Sequence, residues 1–210
     1  MSERGKLITL EGVDGAGKST HLQFIADIVG MKGEKAGGGG RRVVVTREPG
    51  GTLLAEQLRK AILEEPMDPV TATLLVFAAR ADHVARVIRP ALEAGSWVVC
   101  DRFTDATVAY QGAGQGVPLE LIERLGMAAH SGLVPDRTLL FDCSYDVSKK
   151  RLSASGKALD RFEREDRAFF ERVREAYLGR ARAEPRRVRV IDASGDPAQI
   201  RQAVEQHLKF

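Results

Sequence analysis

Residues 6–20 read KLITLEGVDGAGKST, and the rest of the chain can be interpreted from this stretch. Residues 7–10 form a short, mostly apolar and β-prone run, which is typical of a buried parallel strand. Residues 12–19 match the pattern G-x-x-x-x-G-K-[ST] in full. Residues 20–29 follow with apolar side chains at helical spacing. A strand, a glycine-rich loop and a helix therefore arrive in the order that a phosphate-binding loop requires.

The residue types of this loop suit a nucleoside triphosphate. A loop with few bulky side chains can wrap its N–H groups around phosphate oxygens, and the following helix presents the positive end of its dipole. Lys18 can reach the β- and γ-phosphates, and the Ser19 hydroxyl can ligate Mg²⁺. The correct flanks on both sides disfavour a chance glycine turn. The predicted nucleotide-binding residues are Gly12, Val13, Asp14, Gly15, Ala16, Gly17, Lys18, Ser19 and Thr20.

The composition is that of an ordinary globular protein, and one domain over residues 1–210 is expected. Its 32 basic residues are interleaved with 29 acidic ones, so the net charge of +3 suits anionic substrates and gives little support for a nucleic acid partner. No apolar run is long enough for a signal peptide or a membrane span. Cys100 and Cys143 each end an apolar run, which favours buried thiols over a disulfide or metal pair. A cytoplasmic protein is therefore expected.

Short apolar runs alternate with segments of helical periodicity along the chain. The predicted strands are residues 7–10, 43–46, 96–100, 138–141 and 188–191, and the predicted helices are residues 20–29, 53–63, 70–87, 118–130, 166–182 and 197–208. This alternation predicts an α/β protein with a five-stranded parallel sheet flanked by helices, the three-layer P-loop NTPase fold. Residues 31–42 include four consecutive glycines and are predicted to form an exposed loop.

Charged residues follow two of the predicted strands. Arg47 comes after the second strand and precedes a Pro-Gly-Gly turn, where its planar guanidinium can bind a substrate phosphate. A solvated charge beside a turn is the alternative. Asp101 and Arg102 follow the third strand. An acid at the end of such a strand is the usual second anchor for Mg²⁺, and the neighbouring arginine can hold phosphate.

Two segments supply candidate pocket residues. In the helix predicted over residues 70–87, Phe77 and Arg80 are three residues apart and can face the same side. Burial in the core is the alternative for Phe77. In the polar segment that begins at residue 104, Thr107, Tyr110 and Gln111 can reach into a pocket.

Residues 148–163 read SKKRLSASGKALDRFE and are basic, with a glycine in the middle. A basic segment beside a phosphate site is predicted to form a small lid that closes and adds positive charge to the transferring phosphoryl group. The alternative is a solvated corner between two helices.

Together these features resemble bacterial thymidylate kinase, a P-loop nucleoside monophosphate kinase that transfers the γ-phosphoryl group of ATP to dTMP and so supplies dTDP for dTTP synthesis. The resemblance covers nearly the whole chain. It rests on residues 11–20 (EGVDGAGKST), 46–52 (TREPGGT), 77–80 (FAAR), 101–112 (DRFTDATVAYQG) and 159–163 (LDRFE). It implies ATP and dTMP as substrates, Mg²⁺ bound with the help of Ser19 and Asp101, and a homodimer.

The resemblance also implies how dTMP is bound. Arg47 and Arg102 would grip its phosphate, and Asp14 would meet the deoxyribose hydroxyl or position the acceptor phosphate. Such clamps hold the two phosphates in line, which is most of what phosphoryl transfer needs.

For the base, the resemblance implies that Phe77 stacks on thymine, that Arg80 and Gln111 hydrogen-bond its polar edge, and that Thr107 lies nearby. This chain departs from the family at one of these positions. Family members often place the stacking phenylalanine four residues before the arginine, where this chain has Val76.

The lid departs from the family as well. It has Ser153 and Ser155 where arginines are common, so Arg151, Lys157 or Arg161 is expected to supply the lid charge. The predicted catalytic residues are Asp14, Lys18, Arg102, Arg151, Lys157 and Arg161.

Two rival functions remain open on the sequence. One is another nucleoside or nucleotide kinase, against which Arg47 and Arg102 argue, because they suit an acceptor that already carries a phosphate. The other is a non-catalytic ATP-binding switch, which would need neither a lid nor a second phosphate site.

Overall fold

The computed structural model describes residues 4–34, 42–156 and 158–208. In these residues, five parallel strands form one sheet in the order β2-β3-β1-β4-β5. The strands are β1 (Leu7–Glu11), β2 (Val43–Arg47), β3 (Trp97–Asp101), β4 (Arg137–Asp142) and β5 (Val188–Asp192). In the central strand, Leu10 pairs with Asp101 on one side and with Leu139 on the other. The carboxyl ends of all five strands therefore meet at one edge, and the predicted fold is confirmed.

The helices predicted from residues 20, 53, 70, 118, 166 and 197 lie close to their predicted positions, and three shorter helices accompany them in the described residues. Together they are α1 (Lys18–Glu34), α2 (Leu53–Glu64), α3 (Pro69–His83), α4 (Arg89–Glu93), α5 (Thr104–Thr107), α6 (Leu119–His130), α7 (Tyr145–Ala154), α8 (Arg167–Ala183) and α9 (Pro197–His207). Several begin at a residue whose side chain accepts a hydrogen bond from the first turn, as do Thr52, Asp68 and Asp166. None of the helices in the described residues is long and apolar enough to cross a membrane.

Three local predictions need correction. The first helix continues to Glu34 instead of ending at Val29, because packing of α1 against β3 and α9 outweighs the weak helix propensity of Gly30. The predicted loop over residues 31–42 is therefore helical at its start, and residues 35–41 lie outside the described residues.

Two segments form π-helical turns. Val84–Ile88 overlaps the end of the regular helix predicted over residues 70–87, and Val108–Gly114 lies in the polar segment for which no helix was predicted. The first comes just before Pro90, whose ring cannot follow a regular α-turn.

The alternation of side chains along each strand builds two helix–sheet interfaces. Ile8, Val99 and Phe141 belong to one hydrophobic cluster with α1, α8 and α9. Leu7 and Val98 point to the opposite face and pack in a second cluster around α4. Successive residues of one strand therefore serve different layers, which is why the strands of this sheet are apolar on both faces.

Candidate active site

The glycine-rich loop joins β1 to α1 at the carboxyl edge of the sheet. Three of its glycines have positive φ angles, between 74° and 134°. A Cβ atom on Gly12 would lie 2.2 Å from the carbonyl oxygen of Phe141 in β4, so only glycine fits there. Nζ of Lys18 donates to the carbonyl oxygens of Gly12 (2.9 Å) and Val13 (3.0 Å). Burial, followed by the charge of Arg102, lowers the pKa of this ammonium group below its ordinary value.

Two cavities meet beside this loop. A cleft of about 680 Å³ runs along the loop and reaches α7 and α9. A narrower pocket of about 80 Å³ lies between α2, α3 and the segment that follows β3. The residues that line both cavities are Asp14, Glu48, Arg59, Arg102 and Asp160. The arrangement suits two ligands whose charged ends face each other across a shared, mostly charged junction.

Arg102 occupies the centre of that junction. Its Nη2 lies 2.5 Å from Oδ1 of Asp14, and its Nη1 donates to the carbonyl oxygen of Gly12 over 3.0 Å. The hydroxyl of Tyr110 donates to the other carboxylate oxygen of Asp14 over 2.7 Å. Burial alone would raise the pKa of Asp14, but the charges of Arg102 and Lys18 and these hydrogen bonds lower it below its ordinary value. Asp14 is therefore a carboxylate at neutral pH.

Arg80 projects from α3 into the narrower pocket and is almost fully buried. Its Nε donates to Glu48 over 2.6 Å, and its Nη2 donates to Thr107 over 3.0 Å. His83 donates to the second oxygen of Glu48 over 3.1 Å, so this buried carboxylate is held from two sides. Nη1 of Arg80 is buried and has no hydrogen-bond partner among the described residues. With Gln111 also lining the pocket, two predicted base-binding side chains come together there.

Two arginines from neighbouring elements approach the junction differently. Arg47, which the sequence predicts to hold phosphate, is half exposed and forms a two-point ion pair with Glu56 (2.8 and 3.2 Å). Arg59 lines both cavities, and its Nη1 donates to the carbonyl oxygen of Pro49 over 3.0 Å. Burial, with the charges of Arg47 and Arg102, lowers the pKa of Arg59 below its ordinary value. Two guanidinium groups, those of Arg59 and Arg102, therefore lie at a junction that three carboxyl groups also line.

Sequence reasoning missed Arg59, although a signal was present. Ala55 and Ile62 are buried on α2, and Arg59 falls between them at i+4 and i+7 spacing. An arginine on the apolar face of a helix needs a partner, and here that face leads into the two cavities. Glu48 was missed for a related reason, since its burial beside Arg80 depends on contacts between distant elements.

Both predicted Mg²⁺ ligands line the larger cleft. The Ser19 side chain is exposed at the first turn of α1, and Asp101 ends β3. Oδ1 of Asp101 is buried and has no hydrogen-bond partner within the described part of the chain. No group of three or more acidic, histidine or cysteine side chains that could hold a metal occurs in the described ranges. This donor set fits Mg²⁺, which commonly takes one or two protein ligands and completes its shell with phosphate oxygens and water.

Comparison with known proteins identifies the family. A sequence model of the thymidylate kinase family matches residues 10–204. The thymidylate kinases of Cupriavidus necator and Bordetella petrii are 53% and 50% identical to this chain, and each alignment covers at least 97% of both proteins. This chain belongs to the thymidylate kinase family. The crystal structure of thymidylate kinase from Ehrlichia chaffeensis is similar to it with a TM-score of 0.77 and 31% identity, over 98% of this chain and 99% of that one.

These matches confirm the predicted family and function, and they give no support to a non-catalytic switch. They assign no role to any individual residue. Of the predicted dTMP-binding residues, Asp14, Arg80, Arg102, Thr107, Tyr110 and Gln111 line the narrower pocket.

Phe77 lies apart from this group. It is buried against Val117 and Ile122 in a separate hydrophobic cluster, and the Arg80 guanidinium lies 4.8 Å from its ring centre. Val76 lines the pocket in its place. The aromatic residues that line the pocket are Phe103, Tyr110 and Phe162, and the ring of Phe162 meets that of Tyr110 edge-on at 5.7 Å.

The lid candidates have separate positions. Arg151, on α7, lines the cleft and donates to the carbonyl oxygens of Ala16 (3.3 Å) and Ala193 (2.7 Å). Arg161 donates to the carbonyl oxygen of Glu65 at the end of α2 over 3.2 Å. Lys157 lies outside the described residues. The predicted lid over residues 148–163 therefore begins as helix α7 and ends as a turn that touches α2.

Glu11, the last residue of β1, is a site residue that the sequence did not single out. It is fully buried beneath the junction. Burial and the charge of Asp105 raise its pKa to about 8, despite hydrogen bonds from the Tyr177 hydroxyl and the Phe103 N–H. Between pH 4.5 and about 8 the folded protein therefore binds more protons at this site than the unfolded chain does, so Glu11 removes stability as the pH rises through that window.

Replacing Glu11 by Gln should therefore make the protein progressively more stable than the wild type as the pH increases. We expect the difference in unfolding free energy to grow by on the order of a few kcal/mol between pH 4.5 and 8.5. Urea denaturation of both proteins at several pH values measures this difference, with the lowest pH as the reference. A difference that stays constant over the range would contradict the raised pKa.

Proposed function

We propose that this thymidylate kinase family member transfers the γ-phosphoryl group of ATP to dTMP, giving ADP and dTDP. The single observation that carries this proposal is the junction of the two cavities, where Asp14, Arg59 and Arg102 line both. A phosphate cradle on one side and a phosphate-accepting pocket on the other hold the reacting groups close together. Positioning and charge neutralisation then provide most of the rate enhancement.

On the donor side, the loop N–H groups and the N-terminus of α1 receive the triphosphate. Nζ of Lys18 already lies within the loop and exchanges the carbonyl oxygens of Gly12 and Val13 for phosphate oxygens. Ser19 and Asp101 would hold Mg²⁺, which neutralises charge on the phosphates when it is bound. The far end of the cleft, with Pro197 and Ile200, leaves room for the nucleoside of ATP.

On the acceptor side, Arg59 and Arg102 bind the phosphate of dTMP, with Arg47 available if it leaves Glu56. Nη1 of Arg80 and the amide of Gln111 hydrogen-bond the polar edge of thymine. Asp14 stands where the deoxyribose hydroxyl or the acceptor phosphate would lie. An acceptor phosphate is already ionised at neutral pH, so no strong general base is needed.

Among the described lid residues, Arg151 is the better candidate for the charge that stabilises the transferring group. It lies along the cleft and touches the loop, whereas Arg161 is held by the carbonyl oxygen of Glu65. As a planar donor, Arg151 can bind two phosphate oxygens at once.

The assay that tests this function measures ADP release from ATP and Mg²⁺ with dTMP, dUMP, dCMP, dGMP, dAMP or thymidine as single acceptors. We expect turnover with dTMP to exceed that with dCMP, dGMP, dAMP or thymidine by at least about tenfold, because Arg80 and Gln111 match one base edge and thymidine lacks the acceptor phosphate. dUMP presents the same polar edge as dTMP and lacks only the methyl group, so its turnover should be closer to that with dTMP. The variant Lys18→Ala, prepared in parallel, excludes a contaminating kinase. ADP release that is equal without an acceptor, or that occurs only with thymidine, would contradict a monophosphate acceptor.

Arg59→Ala tests the acceptor phosphate site. We expect KM for dTMP to rise about 10- to 100-fold, because a charged phosphate loses a two-point donor, while KM for ATP changes little. Arg86→Ala is the matched control, since Arg86 is largely exposed and pairs with Asp82 away from the cavities. Equal increases in both KM values would instead place Arg59 in a general structural role.

We also propose that the protein acts in the cytoplasm as a homodimer. Val70, Leu74 and Ala78 form an exposed apolar stripe at i, i+4 and i+8 on α3, and Met127 on the neighbouring α6 is 63% exposed. Exposed apolar side chains grouped on packed helices are typical of a subunit interface.

Leu74→Glu should therefore convert a dimer into a monomer, because it places a charge in an apolar interface. Sedimentation equilibrium measures the change, and Ala198→Glu, on the exposed side of α9, is the control that should remain dimeric. A Leu74→Glu protein with unchanged mass would rule out α3 as the interface.

A further inference from the structure

Two buried side chains outside the loop and both cavities support Arg102: Tyr177 contacts its guanidinium, and Glu11 contacts Tyr177 and the N–H of the next residue. Glu11 accepts a hydrogen bond from the N–H of Phe103 over 2.7 Å and another from the Tyr177 hydroxyl over 2.8 Å. The Tyr177 hydroxyl in turn accepts from Nη1 of Arg102 over 3.0 Å. Glu11 therefore contacts the chain just after Arg102 and, through Tyr177, the guanidinium itself.

The conformation of Arg102 shows why such support is needed. Its φ angle is +70°, in the left-handed region that non-glycine residues rarely adopt. This turn aims the side chain back across the edge of β1 toward Gly12 and Asp14. A strained main chain persists only where surrounding contacts fix it, and the bond from the Phe103 N–H to Glu11 is one such contact.

Tyr177 fixes the guanidinium end of Arg102. It lies on α8, is fully buried and packs edge-on against Tyr110 at 6.3 Å between ring centres. Its hydroxyl oxygen lies 2.8 Å from Oε2 of Glu11 and 3.0 Å from Nη1 of Arg102, so it bridges the carboxyl group and the guanidinium. A neutral oxygen in this position accepts from the guanidinium without cancelling its charge.

We infer that Glu11 and Tyr177 are positioning residues that hold the Arg102 guanidinium at the junction of the two cavities, ready for a phosphate. The inference rests on the proposed function only through the role of Arg102 in binding phosphate. Asp14 also pairs with Arg102, but an arriving phosphate competes for that contact. The contact with Tyr177 lies on the buried side and can persist when the phosphate binds.

Tyr177→Phe removes only the hydroxyl and keeps the ring in the core. We expect kcat/KM for dTMP to fall about tenfold, because one of several hydrogen bonds to a charged group is lost. KM for ATP should change less than about twofold. Tyr145→Phe is the matched control, because the Tyr145 ring, on α7, packs against Phe170 of α8 and has no contact with Arg102 among its ring contacts in the described residues. It should leave both constants within about twofold.

A double-mutant comparison with Arg102 distinguishes a positioning role of Tyr177 from a purely structural one. In an Arg102→Lys background, Tyr177→Phe should cause less than about twofold further loss, because the partner of the hydroxyl is already gone. Glu11→Leu, which can make neither hydrogen bond, should lower kcat/KM for dTMP in the same direction. A Tyr177→Phe enzyme equal to the wild type, or a full tenfold loss in the Arg102→Lys background, would overturn the inference.

A structural measurement distinguishes this inference from the proposed function. If the wild type fails to phosphorylate dTMP, the proposed function is wrong, and the position of Arg102 in a crystal structure of nucleotide-free Tyr177→Phe decides the inference alone. A guanidinium displaced from the Gly12 carbonyl oxygen and Asp14 would support it. A guanidinium that keeps both contacts would overturn it.

Discussion

The contact between Arg102 and the loop that contains Asp14 is the interaction on which this site depends. β1 and β3 are adjacent and parallel, so the residues that follow them emerge side by side at one edge of the sheet. The steric limit at Gly12 presses the loop against β4, and the left-handed turn at Arg102 directs its side chain over that loop. The donor cleft and the acceptor pocket share a wall because these two strand ends meet.

The cationic side chains at the junction are each paired with oxygen atoms of the protein itself. Lys18 is held by loop carbonyl oxygens, Arg102 by Asp14 and Tyr110, and Arg59 by the carbonyl oxygen of Pro49. Each of these cations already has an oxygen partner in the protein. Under the proposed function, phosphate oxygens would replace these protein oxygens around groups that are already desolvated and oriented, which is the condition under which such charges act most strongly.

The fold and the phosphate loop could be predicted because they depend on local patterns: strand–loop–helix order, glycine spacing and alternating apolar runs. The pocket was less predictable because both Val76 and Phe77 are buried, and helical periodicity cannot tell which of two adjacent buried residues faces the core and which faces a ligand. Arg47 looked free in the sequence, yet it pairs with Glu56 nine residues later. Glu11 and Tyr177 are 166 positions apart, and only the tertiary fold brings them together.

Glu11 lowers the stability of the folded protein at neutral pH although it lies beneath the candidate active site. A carboxyl group buried beneath the junction with a pKa of about 8 disfavours the folded state at neutral pH, and an apolar or amide side chain would avoid that penalty. Its two hydrogen bonds, however, converge on Arg102 from the main-chain side and from the guanidinium side. An apolar residue could make neither bond. The buried carboxyl group is therefore best explained by these two bonds and the position they give Arg102, since packing alone would be served by an apolar side chain without the penalty.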